Sequence, residues 1–313
     1  MLLGVFAGIG ACALWGLAFI APLVAAPYSP FDLTVARYLL FGFASLALLA
    51  SRKFHALRKL RWSDLIHFAA LGFAGNVGYY LAASLAVPLV GPEIVALVIR
   101  TLPVIIGLLG NRGRSKLPLR ELAVPLLLIV LGLCLVNGTA LATANMAGTT
   151  STFAAGLALT IVATALWAWY GVRNASALAA RPVILPAEWT ALTGVGTLLA
   201  LIPVLPIGWA LGLSNVPSLG FEGLDAMRFF FWALILAALP SWAATWAWSI
   251  TSRSLPLSLA GQLIVFETIF ALAYGAFYNG QLPNLGEVSG AALMLAGVVA
   301  VLRIFSRQRI PTA

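Results

Sequence analysis

The sequence predicts an all-α polytopic membrane protein in which ten transmembrane helices form two inverted five-helix repeats. Three observations lead there. Of 313 residues, 62% are apolar and only 9% are Asp, Glu, Lys or Arg, against roughly 25% charge in a soluble domain; mean hydropathy is +1.03. The apolar residues fall into ten runs near the 20 or so residues that a membrane helix needs. The basic residues crowd into alternate connecting segments. Too few charges remain to cover a water-facing surface, which excludes a soluble enzyme, a disordered chain and a nucleic-acid-binding domain despite a net charge of +9.

The runs are Leu2–Ala26, Asp32–Ser51, Asp64–Val87, Pro92–Gly110, Leu119–Asn137, Phe153–Gly171, Ala187–Leu211, Asp225–Ile250, Pro256–Tyr278 and Leu285–Ile304. The first lacks a basic start and is too long for a signal peptide's apolar core, so it is expected to be retained. Short joining segments rich in Pro, Gly, Ser and Asn leave no room for a soluble domain. Arg52, Lys53, Arg58, Lys59 and Arg61 lie in one loop, and Arg112, Arg114, Lys116 and Arg120 in another. With Arg173, Arg181, Arg253, Arg303, Arg307 and Arg309 they make 15 of the 18 basic residues, all on one side if there are ten spans. Loops 27–31, 88–91, 138–152, 212–224 and 279–284 hold no Lys or Arg. Both termini are therefore expected in the cytoplasm, with the chain in the inner membrane.

Acidic residues mark where helices begin. Asp32, Asp64, Glu93, Glu121, Glu188, Asp225 and Glu287 each fall in a first turn, where the helix dipole favours negative charge. Glu222 lies in an outer loop, and Glu267 remains near the middle of the ninth run.

The halves repeat. Ala13-Leu14-Trp15 matches Ala165-Leu166-Trp167, Asp32 and Thr34 match Glu188 and Thr190, and Pro103, Glu121 and Gly132 match Thr268, Glu287 and Gly297. The expected units are residues 1–137 and 153–305, joined by an outer loop at 138–152 and followed by a cytoplasmic tail at 306–313. Five spans per unit invert the second copy, an organisation typical of secondary transporters with a midplane site.

With Ala13-Leu14-Trp15-Gly16, Ala36-Arg37-Tyr38, Thr101-Leu102-Pro103-Val104, Phe266-Glu267-Thr268-Ile269 and the Gly290–Gly297 spacing of the last run, the chain resembles the drug/metabolite transporter superfamily, EamA-type. Its tryptophan-rich spans look most like those of the YddG-type exporters of aromatic and neutral amino acids. The resemblance implies export of small amphipathic metabolites by alternating access through a central cavity between spans 1–4 and 6–9, with spans 5 and 10 as supports. One departure is Gly280-Gln281, where many relatives carry Gly-Glu; no role for that acid carries over.

Several residues are candidates for the cavity. A charge at the centre of a membrane helix costs about 2.5–3.5 kcal/mol on insertion scales, so Arg100 and Glu267 need partners, water or a job. Facing each other from repeat-related spans, they would orient a zwitterion, carboxylate to Arg100 and ammonium to Glu267; the competing reading is a structural ion pair. Gln262, one turn before Glu267, would share its face. Asn76, among Gly72, Gly75 and Gly78, with Tyr79 and Tyr80, would form either a cavity wall or a packing seam. Trp15, Trp167, Trp242 and Trp246 would supply aromatic walls or simple core packing. Trp62, Trp189, Trp209 and Trp248 fit interfacial belts. Arg37 would snorkel to headgroups or gate, and Pro240 would kink span 8 as a hinge.

Cys12 and Cys134 lie in apolar runs and imply neither disulfide nor metal. His55 and His67 lack metal-spaced companions, and there is no phosphate-binding loop, dinucleotide fingerprint or zinc-protease motif. No cofactor is expected. The expected partners are an amino-acid substrate and lipid, with a proton or no coupling ion, in a monomer or weak oligomer. Other substrates open to the same architecture are nucleotide-sugars, cationic drugs and lipid precursors. A membrane-embedded transferase would need clustered acids or histidines at the water interface, and a non-transporting bundle would have no use for two mirrored gates.

Overall fold

The computed structural model describes residues 1–19, 26–51, 60–111, 117–143, 150–280 and 282–307. His55, Gln281, Arg309 and most of the basic positions in the 51–63 and 111–120 loops lie outside those residues, as do the middle of the 138–152 loop and the tail beyond Arg307. Among the described residues the fold is all helical. Helix α1 is Leu2–Gly16, continued by a tight turn at Leu17–Phe19. Helix α2 is Pro30–Ser51, α3 is Trp62–Val90 and α4 is Pro92–Leu109. Helices α5, α6 and α7 are Leu119–Thr143, Thr150–Ala179 and Pro186–Ala210. Helix α8 is Gly223–Ser254 and α10 is Leu285–Arg307. Helix α9 comes in two pieces, Leu257–Leu263 and Val265–Asn279. Nine of these are long and apolar enough to cross a bilayer, and α1 is apolar but 15 residues long. Helix α6 runs eight residues past Gly171, through a segment to Ala179 that holds no Gly or Pro to stop it.

First-turn acids start several of these helices. Asp32 accepts from the Ser29 backbone N–H at 3.0 Å while Ser29 Oγ accepts from the Asp32 N–H at 3.0 Å, a reciprocal cap that satisfies two orphan donors. Asp64 accepts from the Arg61 N–H at 2.9 Å and Glu287 from the Asn284 N–H at 2.8 Å.

The packing maps onto itself when the halves are exchanged. Helix α3 packs on α6 as α8 packs on α1; α3 on α7 as α8 on α2; α4 on α6 as α9 on α1; and α2–α7, α4–α9 and α5–α10 pair with their own mates. The irregularities repeat as well. Helix α3 loosens into a π-turn at Phe73–Val77, and α8 does so at Ala237–Ala243. Helix α4 breaks at Arg100–Thr101, and α9 breaks at Ile264. From Phe73 to Ala237 and from Arg100 to Ile264 is 164 residues in each case.

Glycines set the closest approaches. A Cβ on Gly132 would lie 2.5 Å from the Gly290 carbonyl oxygen, and one on Gly290 would lie 2.5 Å from the Gly132 oxygen, so α5 and α10 meet backbone to backbone. The two ends of the bundle are tied by polar contacts. At one end Asp32 also accepts from Ser214 Oγ at 2.6 Å and the Asn215 N–H at 2.9 Å, and Tyr28 Oη donates to the Gly220 carbonyl at 2.9 Å. At the other, Arg181 pairs with Asp64 and Arg253 donates to the Arg181 and Ile184 carbonyls. The N-terminus of α1 belongs to this second end, because Gly4 abuts Ser254 and its carbonyl accepts from Thr251 Oγ1 at 3.0 Å.

Candidate substrate site at the helix breaks

Arg100 and Glu267 do not sit inside continuous helices, as their sequence positions suggest. Arg100 caps the C-terminus of the Pro92–Ile99 half of α4, and Glu267 lies in the first turn of the Val265–Asn279 half of α9. A cation at a helix C-terminus and an anion at a helix N-terminus are each favoured by the dipole. The breaks therefore reduce the cost of holding both charges in the bundle. Discontinuous helices with charged groups at their inner ends are how secondary transporters build midplane sites.

The two charges are each other's principal electrostatic neighbours, yet no ion pair within 4.0 Å joins them. Arg100 Nη1 donates instead to Asn137 Oδ1 on α5 at 2.7 Å, and the Asn137 amide is turned that way by its own Nδ2 donating to the Leu133 carbonyl at 2.7 Å. The Glu267 carboxylate makes no hydrogen bond or ion pair with any described residue, and it remains partly accessible although protein surrounds it. Tyr79 of α3 and Cys12 of α1 lie within its electrostatic range.

Tyr79 leads from there to a cluster of aromatic rings. The repeat-related Trp15 and Trp167 meet edge to face at 5.6 Å, which places the contact on the pseudo-two-fold axis. Trp248 lies 5.3 Å from Trp15 and 6.0 Å from Trp167, and Tyr79 and Tyr170 flank Trp167 at 6.5 and 5.9 Å. Trp15 Nε1 donates to the Pro240 carbonyl at 3.0 Å, fixing that indole against the π-turn of α8.

The π-turn has a local cause. Pro240 has no N–H to offer the Leu236 carbonyl, and Ser241 Oγ donates to that carbonyl at 2.9 Å. The same Oγ accepts from Arg37 Nε at 2.7 Å. Arg37 is 4% exposed, with its guanidinium 4.9 Å from the ring centroids of both Tyr38 and Tyr80. Snorkelling to headgroups is thus incorrect for Arg37, because Ser241 and the two rings hold it inside.

Three further placements differ from the sequence expectations. Trp246 is 41% exposed on the outside of the bundle, its ring tilted against Trp242 at 6.2 Å. Trp242 lines an apolar groove with Leu40, Phe43 and Leu234 on the bundle's surface. Neither reaches the aromatic cluster, because the π-turn changes the helical phase on either side of Ser241. Trp248, expected in an interfacial belt, is 1% exposed within the cluster, and Trp189 is likewise buried, donating to Asn174 Oδ1 at 2.8 Å; Trp62 and Trp209 are exposed. Gln262 is fully buried beside Gly107 in the α4–α9 seam with neither amide atom partnered. The break at Ile264 separates it from the Glu267 face. Asn76 donates to Thr197 Oγ1 at 2.9 Å across the α3–α7 seam, the packing role. Among the described residues no cluster of His, Cys, Asp and Glu has metal-binding geometry. Asn137, Ser241 and Trp248 were not candidates from sequence. Asn137 closes a span with no acid or base beyond its first turn, Ser241 is one hydroxyl among many, and Trp248 stands near a helix end.

Ten helices in two halves of exchangeable packing, with repeat-related breaks in α4 and α9 beside Arg100 and Glu267, define a polytopic membrane protein of the inverted-repeat transporter class. The comparisons with known proteins agree. Residues 2–138 match the EamA-like transporter family. The inner membrane protein YtfF of Escherichia coli (strain K12) is 32% identical over 97% of this chain and 96% of its own. A solved crystal structure shares the fold with a TM-score of 0.75 at 19% identity, over 98% of each chain. The chain belongs to the EamA-like transporter family.

Proposed function

We propose that the protein is a secondary transporter that exports small amphipathic metabolites, foremost aromatic and neutral amino acids as in the YddG-type exporters, by alternating access through a midplane site. The observation that carries this reading is the unpartnered, partly accessible carboxylate of Glu267 at the α9 break. It faces Arg100 across more than ion-pair distance, and Tyr79, which flanks the cluster of Trp15, Trp167 and Trp248, lies within its electrostatic range. An ammonium fits the carboxylate, a substrate carboxylate fits the guanidinium, and an apolar side chain fits the rings. The role is transport rather than catalysis. The chain resides in the inner membrane, as the name of its Escherichia coli relative states for that protein, with both termini cytoplasmic on the charge distribution. It works as a monomer or weak oligomer, driven by the substrate gradient or by proton coupling. The repeats run over residues 1–137 and 153–305.

Radiolabelled phenylalanine and threonine flux into proteoliposomes, with and without an imposed pH gradient, tests this. The expected result is saturable flux above empty vesicles, reduced about tenfold by Glu267→Gln, on the scale of one charge-assisted contact. Flux equal to empty vesicles for the whole amino-acid panel overturns the reading. A second reading has its own support. Glu267 is unpaired whereas Arg100 is held by Asn137, an imbalance that favours organic cations; flux of a lipophilic cation but of no amino acid would select it.

A further inference from the structure

From the geometry at Arg100 we infer that Asn137 is a specificity-determining residue that positions the Arg100 guanidinium for a substrate carboxylate while leaving its charge unspent. This rests on the amino-acid reading above and names the part of the chain that recognises the carboxylate end.

Asn137 stands on α5, a helix otherwise without charge in its buried stretch, and is 1% exposed. Its amide is oriented, not free to flip: Nδ2 donates to the Leu133 carbonyl, so Oδ1 is the atom that meets Arg100 Nη1 at 2.7 Å. Of the other guanidinium nitrogens, Nε is sealed without an acceptor, and Nη2, which makes no hydrogen bond with any described residue, is not sealed. The guanidinium is thus tethered by one corner and has a donor to spare. A neutral acceptor supplies orientation without neutralisation. A carboxylate at the same position would form a charge-assisted, bidentate pair, hold the fork more tightly and cancel the field that attracts an anion. The charges facing Arg100 are Glu267 from α9 and Glu287 from the start of α10. Glu267 is more than 4.0 Å away, and Glu287 caps its own helix by accepting from the Asn284 N–H at 2.8 Å. Neither spends the guanidinium, and the protein keeps it that way by using an amide at residue 137.

The test compares two probes in proteoliposomes: phenylalanine, and phenethylamine, which has the same ring and ammonium but no carboxylate. In Asn137→Asp the KM for phenylalanine is expected to rise about tenfold or more, the scale of a lost contact to a charged group, while phenethylamine flux stays within about twofold. In Arg100→Gln, adding Asn137→Asp should cause no further loss for phenylalanine. Asn137→Ser, a smaller neutral acceptor, should keep the wild-type preference, and it serves as the second variant if the aspartate form does not yield a monodisperse, cooperatively melting protein; a switch toward phenethylamine in Asn137→Ser overturns the inference. So does an equal loss for both probes in Asn137→Asp with wild-type melting, which marks Asn137 as a scaffold residue only. Wild-type protein that carries neither probe overturns the amino-acid reading itself, a result distinct from wild-type flux with an unselective mutant.

Discussion

Ser241→Ala isolates the contact that holds Arg37 in the bundle. The substitution removes one oxygen and leaves almost no cavity, so it reads hydrogen bonding rather than packing. Two bonds are lost: Oγ to the Leu236 carbonyl at 2.9 Å and Arg37 Nε to Oγ at 2.7 Å. The first is the Leu236 oxygen's side-chain donor beside a proline that offers it none; the second is a short bond from a guanidinium that is 4% exposed. A hydrogen bond to a charged group contributes about 1.5–3 kcal/mol, and a neutral one about 1 kcal/mol. The Tyr38 and Tyr80 rings under the guanidinium are unaffected and keep part of the cation's stabilisation. The expected loss is therefore about 2–4 kcal/mol. For a chain of this size that is a fall in melting temperature on the order of 3–6 °C, measured by a thermal-unfolding assay in detergent. Arg37→Met with Ser241→Ala should be less destabilising than the sum of the two singles by at least about 1 kcal/mol, because each single removes the same bond. Strict additivity, or a Ser241→Ala protein that melts within about 1 °C of wild type, would refute the reasoning.

Two more outcomes follow from the packing. Gly132→Val should separate α5 from α10, since even a Cβ would stand 2.5 Å from the Gly290 oxygen and 2.6 Å from Met294 Cγ; a loss of about 2 kcal/mol or more, seen as early melting, is expected, and unchanged melting would mean that the seam is looser than described. Trp248→Ala should cost about 3–5 kcal/mol, the scale for a buried aromatic, and reduce flux, whereas Trp246→Ala, 41% exposed on the outer face, should change either by little; reversed effects would exchange their assigned positions.

How far the sequence reaches depends on the kind of interaction. Apolar runs report on the solvent, and so the ten helices and their alternation between two ends are visible without structure. Acid-marked helix starts are visible for a related reason: Asp32, Asp64 and Glu287 act on backbone groups three residues away, a local effect. Arg100 and Glu267 stood out because membrane charge is rare. What one sequence hides is helical phase. A 3.6-residue period assigns faces only while the helix is regular, and α3, α4, α8 and α9 are each interrupted beside the site. This is why Gln262 and Trp246 fall away from the cavity and Trp248 enters it. Arg37 was misplaced for a different reason: its acceptor is 204 residues away, and no local pattern indicates that a serine will be there.

The two halves are equivalent in packing but not in chemistry, and the difference lies at the seams. Where α8 meets α2, the π-turn presents Ser241 to Arg37; where α3 meets α7, the matching π-turn presents Asn76 to Thr197. Both are single polar contacts across a repeat-related interface, but one holds a buried cation and the other only neutral groups. Breaking the neutral contact exposes an amide and a hydroxyl, which water solvates readily. Breaking the charged one strands a guanidinium between Tyr38 and Tyr80 unless it finds another acceptor. If alternating access opens these seams in turn, the cycle is asymmetric: the α2–α8 seam should open only when another group, such as solvent or substrate, takes over Arg37, whereas the α3–α7 seam needs no such exchange. The Trp15 indole donates to Pro240, the residue beside Ser241. A substrate that displaces that indole would loosen the turn that presents Ser241, which couples occupancy of the aromatic pocket to the seam that is costlier to open.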